Sequence, residues 1–139
     1  MIISDNLKMY VQKLRSSNLR PTKQRLKICK FLFDREKTFH FTVETLNKKI
    51  NKKDNRKISL ATIYITVEAF TEAGYLKEIL TSKNKSFYDT NIKSHHHFYD
   101  EGTKELTDIN YNQVKLSKVP MPPKGKKIKN LEVVIRIQK

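Results

Sequence analysis

Several residue types that often decide a protein's chemistry are scarce in this 139-residue chain. There is one cysteine, Cys29, so no disulfide can form within the chain and no cluster of cysteines can hold a structural zinc ion. Acidic residues number 14 against 29 lysines and arginines, which gives a net charge of +15. So basic a chain favours a polyanionic partner such as nucleic acid.

Long apolar stretches are also missing. The first residues carry charges throughout and no unbroken apolar run follows them, so we expect neither a signal peptide nor a membrane span. The sequence therefore predicts a cytoplasmic protein without a membrane partner. Cys29 lies in an apolar periodic segment, where a small buried side chain is expected rather than a reactive thiol.

Helical periodicity dominates the first half of the chain. Apolar residues recur three or four positions apart in four segments, and turn or capping residues bound each segment. The predicted helices cover residues 3–17, a segment from Pro21 to about Asp34, a segment capped by Thr42 and running to Ile50, and a segment capped by Ser59 and ending before Gly74. A polar loop at residues 51–57 separates the last two helices.

Two strand-like segments follow, at residues 75–81 and 86–90, and the basic segment Ser82-Lys83-Asn84-Lys85 joins them. Helices followed by a basic hairpin are typical of a winged helix-turn-helix. In that arrangement the last helix enters the major groove of DNA and the hairpin touches phosphate.

The fourth helix divides into two faces. Its core stripe is predicted to hold Ile63, Val67 and Phe70. The opposite face carries Thr62, Ile65 and Thr66, with Tyr64 at its border, and it has little negative charge. Small hydroxyls and an apolar side chain suit contact with base edges and thymine methyl groups. The alternative is that Ile65 packs on a neighbouring element.

The character of the sequence changes after Thr90. Strands are predicted at residues 95–100 and 105–109, and an alternating segment at 131–138 forms a third. Three strands bury little apolar surface by themselves, so we expect this part to pair with a second copy of the chain. The predicted fold is α+β: an N-terminal winged helix-turn-helix at residues 1–91, then a small α/β dimerisation domain with a three-stranded sheet at 92–139.

Three of the four histidines are consecutive at the start of the strand after Thr90. Side chains alternate along a strand, so His95 and His97 share one face and His96 points to the other. Imidazole binds transition metals and haem iron, so the cluster indicates a sensor joined to a DNA reader. The alternative is a polar strand end that faces water.

Several unusual blocks occur in an order that resembles the ferric uptake regulator family. Within that family the similarity is strongest to the iron response regulator branch of alphaproteobacteria. The blocks are LRPTKQRLKI at 19–28, HFTVETL at 40–46, SLATIYITVEAFTEAGYL at 59–76, YDTN at 88–91 and HHHFY at 95–99. The resemblance implies a homodimeric transcription regulator of iron or haem homeostasis that binds a double-stranded DNA operator, with no small-molecule substrate and no catalytic residue.

The resemblance also implies which residues touch DNA. Similar regulators place a basic residue in the minor groove and a tyrosine on thymines, which here are Arg20 and Tyr64. We expect Lys23 and Arg25 to contribute to the same basic surface. Many members carry arginine where this chain has Ile65, so its operator should lean toward A·T-rich sequence.

A regulatory metal site is implied at four positions. The matching residues are His40, Asp89, His97 and Asp108, a nitrogen and oxygen ligand set that suits iron, manganese or zinc. In the iron response branch the histidine cluster is associated with haem, so His95, His96 and His97 are haem candidates through their imidazoles. Where many members have a zinc site of four cysteines, residues 100–104 contain none, and the chain has no Cys-Pro pair either.

Two other functions compete with this interpretation. A metal-dependent hydrolase or nuclease would need a catalytic base beside an open metal site, and the chain has no His-Glu-x-x-His spacing. A basic nucleic-acid-binding protein without metal sensing would bind without sequence preference and lose affinity steeply with salt.

Overall fold

The computed structural model of the chain describes residues 5–52, 57–82 and 85–139. The chain divides into two compact units, Met1–Ile92 and Lys93–Lys139. Parts of three sequence predictions lie outside the described residues: the start of the first helix at Ile3, the middle of the polar loop at 53–56, and the hairpin tip at Lys83 and Asn84.

Four helices form most of the first unit, close to the predicted bounds. They are α1 (Asp5–Ser16), α2 (Lys23–Phe33), α3 (Val43–Ile50) and α4 (Leu60–Glu72). The predicted caps Thr42 and Ser59 are confirmed, because each side chain accepts a backbone N–H from the first turn of its helix. Within the described ranges, no helix is both long enough and apolar enough to cross a membrane.

The helices enclose one apolar core. Leu14, Ile28, Leu46, Ile63 and Phe70, which come from all four helices, are fully buried there. Each comes from a predicted periodic segment, so local periodicity and tertiary packing agree. The core packs against one face of α4 and leaves another face of that helix in solvent.

A small antiparallel sheet completes the first unit. Its strands are β1 (His40–Phe41), β2 (Lys77–Ser82) and β3 (Lys85–Asp89), in the order β1-β3-β2. The hairpin of β2 and β3 is the predicted wing. The sequence did not predict β1, because two residues are too short for a periodic signal and pairing with β3 is what makes them a strand.

The second unit is a three-stranded sheet with long irregular connections. Its strands are β4 (His96–Asp100), β5 (Leu106–Ile109) and β6 (Val134–Ile137), in the order β5-β4-β6. β4 is antiparallel to β5 and parallel to β6. All residues of this unit are described, and their only helical element is a 3-10 turn at Tyr111–Gln113. The predicted α+β class and the three-stranded sheet of the second unit are therefore confirmed, although the last strand begins at Val134 rather than at 131.

Candidate metal site

His95 comes directly before β4, and the surrounding backbone sets its tautomer. Its Nδ1 lies 2.6 Å from the carbonyl oxygen of Lys93. A carbonyl oxygen only accepts hydrogen bonds, so Nδ1 must carry the proton. The lone pair of the neutral ring is then on Nε2, which is the atom available to bind a metal ion.

His97 has the same tautomer for a different reason. Its Nδ1 lies 2.9 Å from Oε1 of Glu132, and an ionised carboxylate accepts hydrogen bonds but cannot donate one. The His97 ring is fully buried. Its Nε2 lone pair therefore points away from Glu132, toward the opposite edge of the ring.

His96 has the opposite tautomer. The backbone N–H of Val133 donates to Nδ1 of His96 over 3.0 Å, so Nδ1 holds the lone pair and Nε2 holds the proton of the neutral ring. The ring also stacks on Tyr111, with centroids 5.7 Å apart and planes 18° apart. Both features make His96 a packed structural residue, and its one lone pair is already engaged.

The two Nε2 lone pairs converge on one carboxylate. Asp108 lies directly opposite His97 in the antiparallel pair of β4 and β5. Its Oδ1 is 3.2 Å from Nε2 of His97 and 3.5 Å from Nε2 of His95. Two lone pairs and a carboxylate oxygen repel one another unless a proton or a metal ion lies among them. The cluster is therefore a candidate metal site, and the same distances also fit a protonated histidine paired with Asp108.

The two distances to Oδ1 of Asp108 are compatible with ligands of one metal ion. Zinc binds nitrogen and oxygen ligands at roughly 2.0–2.2 Å, so two adjacent ligands of one ion are about 3 to 3.5 Å apart. Imidazole nitrogen with carboxylate oxygen suits zinc, iron and manganese alike. The side chain of Asp108 is 52% exposed while both rings are buried, so an ion has a route in from solvent on the carboxylate side.

Two further predicted ligands face each other in the first unit. His40 on β1 is the register partner of Asp89 at the end of β3. Asp89 is buried and accepts the backbone N–H of Asn91 over 2.9 Å. His40 is half-buried, and its ring packs edge-on against Phe87. The wing sheet thus pairs an imidazole with a carboxylate.

Two residues around His97 and Asp108 are absent from the metal site that the sequence predicts. For His95 the resemblance implies haem binding instead, although strand alternation places it on the same face as His97. Glu132 carried no signal at all, because it lies 35 residues beyond His97 and only the pairing of β4 with β6 brings it near.

Helix α4 presents two large side chains to solvent. Tyr64 is 53% and Ile65 is 52% exposed on α4, and Thr62 beside them is partly exposed. Thr66 does not share this face. It is fully buried and its hydroxyl donates to the carbonyl oxygen of Thr62 over 2.7 Å, which corrects its place in the predicted DNA contacts.

The basic residues predicted to contact DNA lie around the start of α2. Arg20 and Lys23 are exposed, whereas Arg25 is half-buried. Nη1 of Arg25 donates to the carbonyl oxygen of Arg20 over 3.2 Å, so the two arginines are held near each other. Thr22 caps the helix between them by accepting the N–H of Arg25.

A buried tyrosine connects α4 with the wing. The hydroxyl of Tyr88 on β3 donates to Oε1 of Glu68 on α4 over 2.6 Å, and Oε2 of Glu78 on β2 lies 3.3 Å away. Burial, and then these two carboxylates, raise the pKa of Tyr88 above its usual value. The phenol therefore stays protonated at physiological pH and bridges the two elements.

A winged-helix unit joined to a unit with converging imidazoles and a carboxylate defines a class, the metal-responsive transcription regulators. The chain belongs to the ferric uptake regulator family, because the sequence model of that family matches residues 16–136. Members of this family are dimeric DNA-binding regulators and not enzymes. Iron, manganese and zinc are the metals that they bind.

The chain is also similar to individual members of this family. The chain is 29% identical over 112 residues to the peroxide-responsive repressor PerR of Staphylococcus aureus, which covers 81% of this chain and 74% of the relative. The ferric uptake regulator of Pseudomonas aeruginosa with manganese has a TM-score of 0.69 at 21% identity, covering 94% of this chain and 97% of that one. The regulator from Francisella tularensis with iron has a TM-score of 0.68 at 17% identity, covering 87% and 92%. These two likenesses confirm the fold.

Proposed function

We propose that this chain is a homodimeric, sequence-specific repressor in the cytoplasm whose affinity for operator DNA depends on a bound divalent metal ion. The observation that carries the proposal is the convergence of Nε2 of His95 and Nε2 of His97 on Oδ1 of Asp108. A divalent ion at this point would engage both imidazole lone pairs and neutralise the carboxylate. The winged helix supplies the DNA-binding half of the function.

The proposed ion takes Nε2 of His95, Nε2 of His97 and Oδ1 of Asp108, all in the second unit. His40 and Asp89 of the first unit stay predicted ligands, on the family resemblance and on their register pairing in the wing sheet. Iron, manganese or zinc would bind these nitrogen and oxygen ligands and hold them together. Occupancy changes DNA affinity only if the ion binds the DNA-competent arrangement more tightly than the alternatives.

The observations favour a small ion over haem. His96 has its lone pair engaged by the N–H of Val133, so it is a poor ligand for haem iron. His95 and His97 are buried, and their Nε2 atoms face a carboxylate within 3.5 Å. Haem would need room for a flat porphyrin ring beside the ligating imidazole. We therefore propose a divalent ion as the signal and keep haem as the alternative to be tested.

Iron status is the proposed biological signal, and the resemblance to the iron response branch supports it. The similarity to a peroxide-responsive repressor favours peroxide as a second candidate signal. A thiol route is disfavoured, because burial raises the pKa of Cys29 to about 12 and the side chain is fully buried.

On the DNA side, we propose that Tyr64, Ile65 and Thr62 read base edges from the exposed face of α4. Arg20, Lys23 and Arg25 would contact the backbone or the minor groove. A symmetric dimer places two such helices on half-sites roughly one helical turn of DNA apart. An apolar Ile65 beside Tyr64 suits thymine methyl groups, so we expect an A·T-rich operator.

A mobility-shift titration at fixed salt tests the proposal. The probe is a duplex that the protein itself selects from a random-sequence pool, and the additions are Mn(II), Zn(II), Fe(II) without oxygen, and haemin. We expect at least one divalent ion to change the dissociation constant by about tenfold or more, a coupling of the usual allosteric size. His97→Ala should abolish the response.

Three results would count against the proposal. If no ion alters binding, the metal response is wrong. If only haemin does, haem is the ligand. Binding that ignores sequence and metal but collapses with salt would identify a general nucleic-acid-binding protein instead.

A further inference from the structure

We propose that Glu132 is a positioning residue of the metal site, which holds the His97 ring in the tautomer and orientation that metal binding needs. This inference rests on the proposed metal-responsive function. Glu132 lies 35 positions from His97 in the chain, and its side chain is only 14% exposed. Its Oε1 accepts from Nδ1 of His97 over 2.9 Å.

The geometry makes Glu132 a partner of the ligand and not a ligand itself. Nδ1 and Nε2 lie on opposite edges of an imidazole ring, so an ion bound at Nε2 of His97 is on the far side from Glu132. A carboxylate behind a ligating histidine fixes its tautomer and increases the basicity of the other nitrogen. Glu132 would therefore strengthen the bond of His97 to the ion without touching the ion.

The backbone next to Glu132 holds it in place. Val133 donates its N–H to Nδ1 of His96 over 3.0 Å, and its carbonyl oxygen accepts the N–H of His97 over 3.1 Å. One residue later, Val134 begins the parallel pairing of β6 with β4 at His97. The carboxylate is thus carried by a paired segment, so little conformational entropy is lost in keeping it at the ring.

His95 provides an internal comparison. Its Nδ1 donates to the neutral carbonyl oxygen of Lys93, only two residues away. His97 instead donates to a charged acceptor, and such charge-assisted hydrogen bonds are roughly twice as strong as neutral ones. The structure therefore assigns the stronger constraint to His97, the ligand that also lies directly opposite Asp108.

The test compares Glu132→Ala and Glu132→Gln with wild type, with Glu105→Ala as a control because Glu105 is an exposed carboxylate of the same unit. Zn(II) and Mn(II) dissociation constants are measured by calorimetry, and nitrogen-15 NMR of the metal-free protein reports the tautomer of each histidine. We expect Glu132→Ala to weaken metal binding by roughly 10- to 100-fold and to leave His97 as a mixture of tautomers. Glu132→Gln should give a smaller loss, because an amide oxygen still accepts from Nδ1 but carries no charge.

The outcomes separate the two proposals. Wild-type metal affinity and an unchanged His97 tautomer in both Glu132 variants would overturn the positioning role. If His97→Ala also binds metal as the wild type does, the metal site itself is misplaced. Should Glu132→Ala fail to fold, Glu132→Gln decides: an unchanged affinity and tautomer there overturns the inference, and a weakened affinity with an altered His97 spectrum supports it.

Discussion

His96 and His97 are adjacent in the chain, yet their neutral imidazole rings carry their protons on opposite nitrogens. The N–H of Val133 donates to Nδ1 of His96, whereas Nδ1 of His97 donates to Glu132. Only one of the two rings therefore has a lone pair on Nε2. A run of three identical residues is in this way divided by its surroundings into two candidate metal ligands and one structural side chain.

The first prediction concerns this division. His97→Ala should weaken Zn(II) or Mn(II) binding by more than roughly 10- to 100-fold, because it removes a proposed direct ligand, and losing only the carboxylate behind a ligating histidine typically costs that much. His96→Ala should leave the metal dissociation constant within a factor of about three while lowering thermal stability, because it removes a buried ring with a hydrogen bond. Calorimetric titration and thermal unfolding measure the two effects. Equal losses of affinity in both variants would show that the tautomer argument is wrong.

The second prediction concerns the face of α4. Tyr64→Ala should weaken binding to a selected operator duplex by about tenfold or more, a loss in the range of one good base contact. Its stability should change little, since the side chain is more than half exposed.

Thr66→Val is the matched control on the same helix. It removes a buried hydroxyl that donates to Thr62, so we expect a loss of about 1 kcal/mol in stability and no change in DNA affinity. If Thr66→Val weakens DNA binding while stability is unchanged, Thr66 contacts DNA and the correction is wrong.

The third prediction concerns alkaline stability. Burial and two carboxylates raise the pKa of Tyr88, so the folded protein holds the phenol proton more tightly than the unfolded chain does. The resulting stabilisation is complete below the ordinary tyrosine pKa of about 10 and is lost as the pH rises above it. Denaturant unfolding between pH 8 and pH 11 should therefore show a smaller alkaline loss for Tyr88→Phe than for wild type. At pH 7 the same variant should lose about 1 to 2 kcal/mol, because Glu68 and Glu78 lose their shared donor.

The fourth prediction concerns the single thiol. Because burial raises the pKa of Cys29 to about 12, the folded protein should react with a disulfide reagent at pH 8 only at the rate of unfolding. Hydrogen peroxide should leave Cys29 unmodified, as mass spectrometry would show. Cys29→Ala should keep any peroxide or metal response of DNA binding. Rapid labelling of the folded protein would mean that the thiol is accessible and would favour peroxide sensing through oxidation of Cys29.

Much of the first unit could be predicted from local sequence. Thr42 and Ser59 are followed by apolar residues at helical spacing, and a capping side chain followed by such a stripe forms a helix in almost any compact context. Thr66 shows the limit of that reasoning. A helical wheel places it opposite the core, but the packing around α4 buries it, and its hydroxyl bonds back to the helix instead of facing DNA.

The candidate site likewise has a part that the sequence predicts and a part that only tertiary structure decides. Alternation along one strand puts His95 and His97 on a common face, and the residue types alone suit a transition metal. The resemblance to a known family added Asp108 and the pair of His40 and Asp89. It did not add Glu132, since β6 has four residues and its parallel partner lies far away in the chain.

By itself, the sequence determined the helices and their caps, the wing, the basic surface and the presence of clustered imidazoles, because each depends on neighbours within one or two turns of chain. Only the tertiary structure decided which histidine nitrogens hold lone pairs, where Asp108 and Glu132 stand beside them, and which threonine of α4 reaches solvent. Those features depend on strand register and on packing between residues distant in the chain. A hydrogen bond from residue 133 can set the chemistry of residue 96 only after the strands have paired.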